Sequence, residues 1–229
     1  RTFGKQDWYA RWAKITLAEL RRLGFNTVAN WSDWQIASAN RTPYVRPLPN
    51  LDASFPLVYR DFPDVFHPDF SQIAQAFAEP LRSTADDLAF IGYFLMNEPT
   101  WGFAQETPAA GMLFNTSSCF SRQALADFFQ RKYADEDTLS AAWKLPVTFR
   151  SLREGVWTQP LTPEAKNDLA DFSKVMVEKL FGTLSAACRA VDPNHLNLGI
   201  RYYTIPPRWA LAGMKHFDVF SMNCYRPRV

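Results

Sequence analysis

Residues 90–101, FIGYFLMNEPTW, limit the possible folds of this chain more than any other stretch. From Phe90 to Met96 the run is almost unbroken apolar, the pattern of a strand covered on both faces in a parallel α/β sheet. It stops at Asn97-Glu98-Pro99. Pro99 has no N–H for a ladder and disfavours helix at Glu98, so the strand must end there. A carboxylate and a neighbouring amide are thereby held at the carboxyl end of a buried parallel strand, where α/β folds bind ligands. A half-buried glutamate in that place is expected to have a raised pKa and to be able to donate a proton. The same three residues could also serve as a helix cap or one half of an ion pair.

Around this strand, helical and strand patterns alternate, which predicts a parallel sheet. Residues 7–23 read as an amphipathic helix with Trp8, Trp12, Ile15, Leu20 and Leu23 near one face, ended by Gly24. Residues 25–30 (FNTVAN) read as a buried strand, followed by the polar-aromatic loop Trp31-Ser32-Asp33-Trp34. At a strand's carboxyl end, Asn30, Trp31 and Asp33 are site candidates, although Ser32 or Asp33 could equally cap the next helix. Residues 42–48 form a weak strand. The proline-rich stretch 49–68 carries Phe55, Tyr59, Phe62 and Phe66 and is expected to be an ordered substrate-wall loop. A helix is predicted over 71–83 and a solvated turn at Asp86-Asp87. Beyond the central strand come a loop (102–120), a helix capped by Ser121, a short helix over 138–144 and an irregular stretch to Thr162. Thr162 and Pro163 then open a long helix whose apolar stripe (Phe172, Met176, Leu180, Leu184, Cys188, Val191) is core. Two more strands, 196–201 and 217–224, flank a helix over 207–214.

The apolar strand followed by Asn-Glu-Pro resembles the fourth strand of clan A glycoside hydrolases. GFNTVANWSDW is similar to the corresponding stretch of the agarase group, glycoside hydrolase family 50. RKYADEDTLSAAWKL resembles a segment that follows the fourth strand in families 50 and 42. The resemblance implies a (β/α)8 TIM barrel, incomplete here, with about strands two to six present. Residues 1–229 would then be one catalytic barrel domain truncated at both ends. It makes Glu98 the general acid/base and Asn97 the amide that binds the sugar 2-hydroxyl. Arg201 and Tyr202 would line the sugar subsite at the end of strand five, although Arg201 could instead pair with Glu98 and lower its pKa. Asn223 and Tyr225 end strand six; an aromatic there often hydrogen-bonds the nucleophile in this clan, while a simply packed tyrosine is the alternative. Trp101 would stack on a sugar ring or sit at the rim.

Retaining glycosidases need a second carboxylate about 5–5.5 Å from the first. In this clan it is a Glu ending strand seven, expected beyond Val229, so the chain alone should be inactive. Asp33 is the one geometric substitute, and Asp218 lies at the wrong end of its strand. The implied function is a retaining, β-agarase-like hydrolase of β-linked galactose polysaccharide. A family 42-like β-galactosidase and a non-catalytic carbohydrate-binding barrel are the alternatives.

Composition narrows the rest. A net charge of +2 with no basic stripe gives no nucleic-acid footprint. Three cysteines without CxxC spacing give neither a disulfide framework nor a zinc site, and Cys188 and Cys224 read as small core residues. His67, His195 and His216 lack ligand spacing and read as structural or solvent-facing. No metal and no cofactor are expected. No apolar run reaches membrane-spanning length. The expected partner is an oligo- or polysaccharide, with oligomeric state open, and that substrate class points to a secreted or periplasmic protein.

Overall fold

The structure is a computed structural model and describes residues 6–225. In chain order, α1 (Trp8–Arg22) and α2 (Trp34–Ala39) precede β1 (Tyr44–Pro47) and a two-stranded hairpin, β2 (Leu57–Tyr59) and β3 (Phe62–Pro63). Next come α3 (Phe70–Ala78), β4 (Phe90–Phe94) and β5 (Met96–Asn97). Five helices follow: α4 (Pro108–Asn115), α5 (Phe120–Lys132), α6 (Glu136–Trp143), α7 (Phe149–Arg153) and α8 (Pro163–Val191). The chain closes with β6 (Leu196–Asn197), β7 (Ile200–Tyr202) and β8 (Ser221–Met222).

Apart from the hairpin, every strand pairing is parallel, and strand neighbours follow chain order. β1 lies beside β4, with Tyr44 opposite Phe90 and Pro47 opposite Phe94. β4 lies beside β6, β5 beside β7, and β7 beside β8. β4 and β5 act as one strand: Leu95, between them, donates its amide to Gly199 O at 2.8 Å. Gly199 takes a left-handed φ of 70° where β6 passes into β7, a conformation that glycine adopts freely. This is a mixed α/β architecture on a parallel sheet.

α8 organises the helix layer. Thr162 caps it, accepting from the Ala165 amide, and Pro163 occupies its first turn, as the sequence implies. Its stripe of Phe172, Met176, Leu180, Leu184 and Cys188 is buried against α3 and α4. Fully burying each of Phe172, Met176, Leu180 and Leu184 is worth about 1.5–3 kcal/mol. Asp168, near the start of α8, accepts from Lys132 Nζ (2.6 Å), Tyr133 Oη (2.5 Å) and Trp143 Nε1 (2.8 Å), tying α5 and α6 to α8.

Several expectations are corrected. In α1 the buried side chains are Ala13 and Leu17, while Trp8, Trp12 and Ile15 stay about half exposed. The helix has two apolar faces, and it buries the one without the tryptophans. Residues 25–30 form only a single bridge, Val28 to Tyr44, because within the described residues that segment has a neighbour on one side alone. The 49–68 stretch folds into the β2–β3 hairpin, and the loop after Trp101 contains α4, capped by Thr107. Ser121 does not cap α5. The Asp64 carboxylate does, accepting from the Phe120 and Ser121 amides at 2.9 Å each. Asp87 is no solvated turn residue, since it receives the Ser38 hydroxyl (2.6 Å) and the hydroxyl of buried Tyr44 (2.9 Å). The 217–224 strand contracts to β8, and Cys224 is exposed rather than core.

Candidate active site

Glu98 follows β5 directly. Its amide still donates to Arg201 O at 2.8 Å, so the ladder runs one residue beyond the Asn97–Arg201 pair. Its φ is 45°, a left-handed value that costs a non-glycine residue conformational energy. Pro99, at φ −61°, then diverts the chain into a 3₁₀ turn, Thr100–Phe103. Asp61, in the β2–β3 turn, fastens that turn. It accepts from Thr100 N (2.9 Å), Thr100 Oγ1 (2.6 Å) and Trp101 N (3.1 Å). The strained Glu98 is therefore held from both sides.

The parallel register brings the neighbouring strand ends to the same level. Asn223, just past β8, donates its amide to Tyr202 O at 2.8 Å. Its side chain lies between three sequence-predicted residues. Asn223 Oδ1 accepts from Arg201 Nε (2.9 Å) and Nη2 (2.6 Å). Asn223 Nδ2 donates to Glu98 Oε1 and, at 3.4 Å, to Asn97 Oδ1. Tyr225 Oη also donates to Glu98 Oε1, at 2.6 Å. Both donors fall on Oε1, so among the described residues nothing donates to Oε2.

This arrangement sets the charge state of the unliganded site. The Tyr225 hydroxyl, then the Asn223 amide, hold the Glu98 carboxyl below the usual glutamate range; partial burial opposes this and the Arg201 charge assists it. The expected upward shift is thus reversed, because the strand end is ringed by donors rather than by apolar walls. The same hydrogen bond pushes the Tyr225 hydroxyl up.

Asn97, Glu98, Arg201, Asn223 and Tyr225 therefore come together as one cluster. The other five candidates do not join it by hydrogen bonds. Trp101 is fully buried against Phe62, Phe181, Tyr202 and Trp209, so it presents no ring face to a ligand. Tyr202 is buried too, its hydroxyl donating to Ala210 O at 2.6 Å. Asp33 caps α2 through Ile36 N (3.3 Å) and receives the Tyr9 hydroxyl. Trp31 is exposed, at a φ of 69°. Asn30 has both amide atoms buried without a partner among the described residues.

Two aromatics beside the cluster escape the sequence reading. Tyr203, half exposed, lies 5.7 Å from the Tyr225 ring and 5.4 Å from the ring of Phe103, centroid to centroid. Strand alternation is the signal that could have found Tyr203: in Arg201-Tyr202-Tyr203 the first and third residues share a face and the second is turned inward. Among the described residues no group of three or more His, Cys, Asp or Glu side chains converges as a metal site. No described helix is long and apolar enough to cross a membrane.

No protein-family model matches the chain. It is 25% identical over 236 residues to β-agarase B of Vibrio sp. (strain JT0107), an alignment covering 93% of this chain and 24% of that protein. β-Agarase A of the same organism is 22% identical, over 95% of this chain. The chain thus spans about a quarter of the length of these relatives. Among solved structures, an exo-β-agarase superposes on 98% of the chain with a TM-score of 0.86 at 24% identity, the chain covering 34% of it. A β-galactosidase from the Antarctic haloarchaeon Halorubrum lacusprofundi superposes on 96% of the chain, more loosely, with a TM-score of 0.64 at 14% identity.

Proposed function

We propose that residues 1–229 form the greater part of a (β/α)8 barrel domain in a β-agarase-like glycoside hydrolase acting on β-linked galactose polysaccharide, with Glu98 as its general acid/base. One observation carries the reading: Glu98 stands at the carboxyl end of a parallel strand with Oε1 tied to two donors and, among the described residues, no donor on Oε2. The likeness to the Vibrio β-agarases along nearly the whole chain supports the substrate class.

In this reading the proton travels on Oε2. A sugar entering the rim displaces water from Glu98 and strips stabilisation from the ionised form, so the carboxyl gains a proton as the substrate binds. Oε2–H then protonates the glycosidic oxygen as its bond to the anomeric carbon breaks and a second carboxylate bonds that carbon; the Oε2 carboxylate so formed later withdraws a proton from the water that displaces the second carboxylate. The nucleophile of a retaining mechanism is a second carboxylate. In this reading that role falls to a Glu at the end of the barrel's seventh strand, as the resemblance to clan A hydrolases implies, and not to a carboxylate of the described residues. Asn97 binds the sugar hydroxyl next to the reacting carbon, and the Phe103–Tyr203–Tyr225 edge offers ring faces to sugar C–H groups.

The test is Glu98→Gln in an agar-degrading protein that carries this stretch. Turnover of a substrate with a poor leaving group should fall by about 100-fold or more, with binding retained. Unchanged turnover would remove Glu98 from the mechanism. The depressed Glu98 carboxyl favours a second reading, a non-catalytic barrel that binds sugar hydroxyls with a permanently ionised acceptor. There the same substitution weakens oligosaccharide binding instead.

A further inference from the structure

Asn223 and Arg201 do more in this geometry than line a subsite. A guanidinium carries donors only, and a carboxamide has one accepting end and one donating end. Arg201 reaches Asn223 Oδ1 with two nitrogens, at 2.9 and 2.6 Å. That fixes which way the amide points. Its NH2 group must then face Asn97 Oδ1 and Glu98 Oε1, both acceptors. The consequence passes one step further, because Asn97 accepts through Oδ1, and among the described residues its own NH2 makes no hydrogen bond. Asn223 is nine-tenths buried, so a flipped amide would set like ends against each other with little water to relieve them.

We propose that Arg201 is a positioning residue acting through Asn223. The role assigned to it is exerted through Asn223 and not through contact with substrate. It fixes the Asn223 amide, and Asn223 in turn ties down Oε1 of Glu98, reserving Oε2 for the proton, and holds Asn97 by its Oδ1. The inference rests on the assignment of Glu98 as acid/base only for its consequence in turnover; the relay itself is a property of this chain. Arg201 is kept from direct contact with Glu98 by the intervening amide, so it orders the site without forming the ion pair that would hold the acid permanently ionised. The guanidinium also lies over the Phe94 ring, 5.5 Å from its centroid, which limits its own freedom.

NMR on the 229-residue chain, at a concentration where sedimentation velocity shows it monomeric, tests the relay. Carboxyl-13C titration follows Glu98, with Glu98→Gln identifying its resonance, and 15N spectra follow the side-chain amides of Asn97 and Asn223. In Arg201→Met both amide pairs should shift or broaden and the Glu98 midpoint should rise. Arg201→Lys, which returns a donor and a charge, should restore part of both effects. Asn223→Ala should raise the Glu98 midpoint and shift the Asn97 amide even with Arg201 present. The proposal is overturned if Arg201→Met moves the Glu98 midpoint but leaves both amides in place, since that is long-range charge alone. It is equally overturned if Asn223→Ala leaves the Asn97 amide unmoved. Thermal melts of the variants separate these results from loss of fold. Failure of the catalytic reading is registered elsewhere, as unchanged turnover in Glu98→Gln, and would leave the amide shifts standing.

Discussion

At the scale of single residues, Tyr225 has the largest hold on Glu98. Its hydroxyl is the foremost of the groups that keep the carboxyl ionised. Tyr225→Phe removes that donor, so Glu98 should bind its proton more tightly. The direction in an active protein follows. A general acid works in its protonated form, which is lost as pH rises through its pKa, so a higher pKa carries the alkaline limb of the rate profile to higher pH. Tyr225→Phe should therefore extend activity on the alkaline side, measured as kcat/KM against pH. A limb that stays in place, or moves to lower pH, would mean that Tyr225 does not govern Glu98. Linkage gives the matching effect on stability. A depressed folded pKa stabilises the fold above the unfolded glutamate pKa, and that contribution is lost as pH falls through the folded value.

Between elements, close approach and buried polar contacts fix the geometry that the site inherits. β4 and β6 meet at Gly92 and Leu196, where a Cβ on residue 92 would lie 2.3 Å from the Leu196 carbonyl oxygen. Backbone on both sides leaves that contact no easy escape. Gly92→Ala should cost about 3 kcal/mol, the upper end of ordinary overpacking, read as a lowered denaturation midpoint. A midpoint within experimental error of the parent would show that the two strands can part. Asp168 is the corresponding device among the helices. Burial opposes its ionisation, but the bonds from Lys132, Tyr133 and Trp143 outweigh it and hold the carboxyl below the usual range. Asp168→Ala leaves a phenol and an indole N–H without an acceptor and should cost about 2–4 kcal/mol at pH 7. Because the folded pKa is depressed, the gap between parent and variant should narrow as pH drops below about 4, where the unfolded carboxyl titrates. A gap constant from pH 7 to 3 would show that Asp168 contributes as a packed side chain and not as an anion.

For the molecule as a whole, what the sequence disclosed depended on range. The stripe of α8, its Thr162-Pro163 start and the strand ending at Asn97-Glu98 are local patterns with one physical solution, and they were readable. The Asp64 cap and the burial of Trp101 arise from segments far apart in the chain, and no local pattern carries them; the hairpin is local, but its short strands lie inside a proline-rich stretch that reads as loop. The same holds for Glu98: its position was legible, but its charge state was not, because the donors Asn223 and Tyr225 lie some 125 residues away along the chain. α1 was misread for a related reason. It has apolar side chains on two faces, and periodicity alone cannot say which is buried. The unburied one, with Trp8, Trp12, Ile15 and Leu23 each 42–56% exposed, forms an apolar stripe in water. On a second part of the chain, Ile205 is 80% exposed and Phe220 55%. Contiguous apolar surface of this kind drives association. β8 adds to it, since it pairs with β7 alone among the described strands and leaves a sheet edge open. The 229-residue chain should consequently self-associate with rising concentration in sedimentation velocity. Trp12→Glu with Ile15→Lys should suppress that association while changing unfolding free energy by no more than about 0.5 kcal/mol per site, as befits exposed positions. A sharp monomer peak at every concentration would mean that neither the stripe nor the edge is sticky. Association undiminished in the double variant would move the contact to the β8 side.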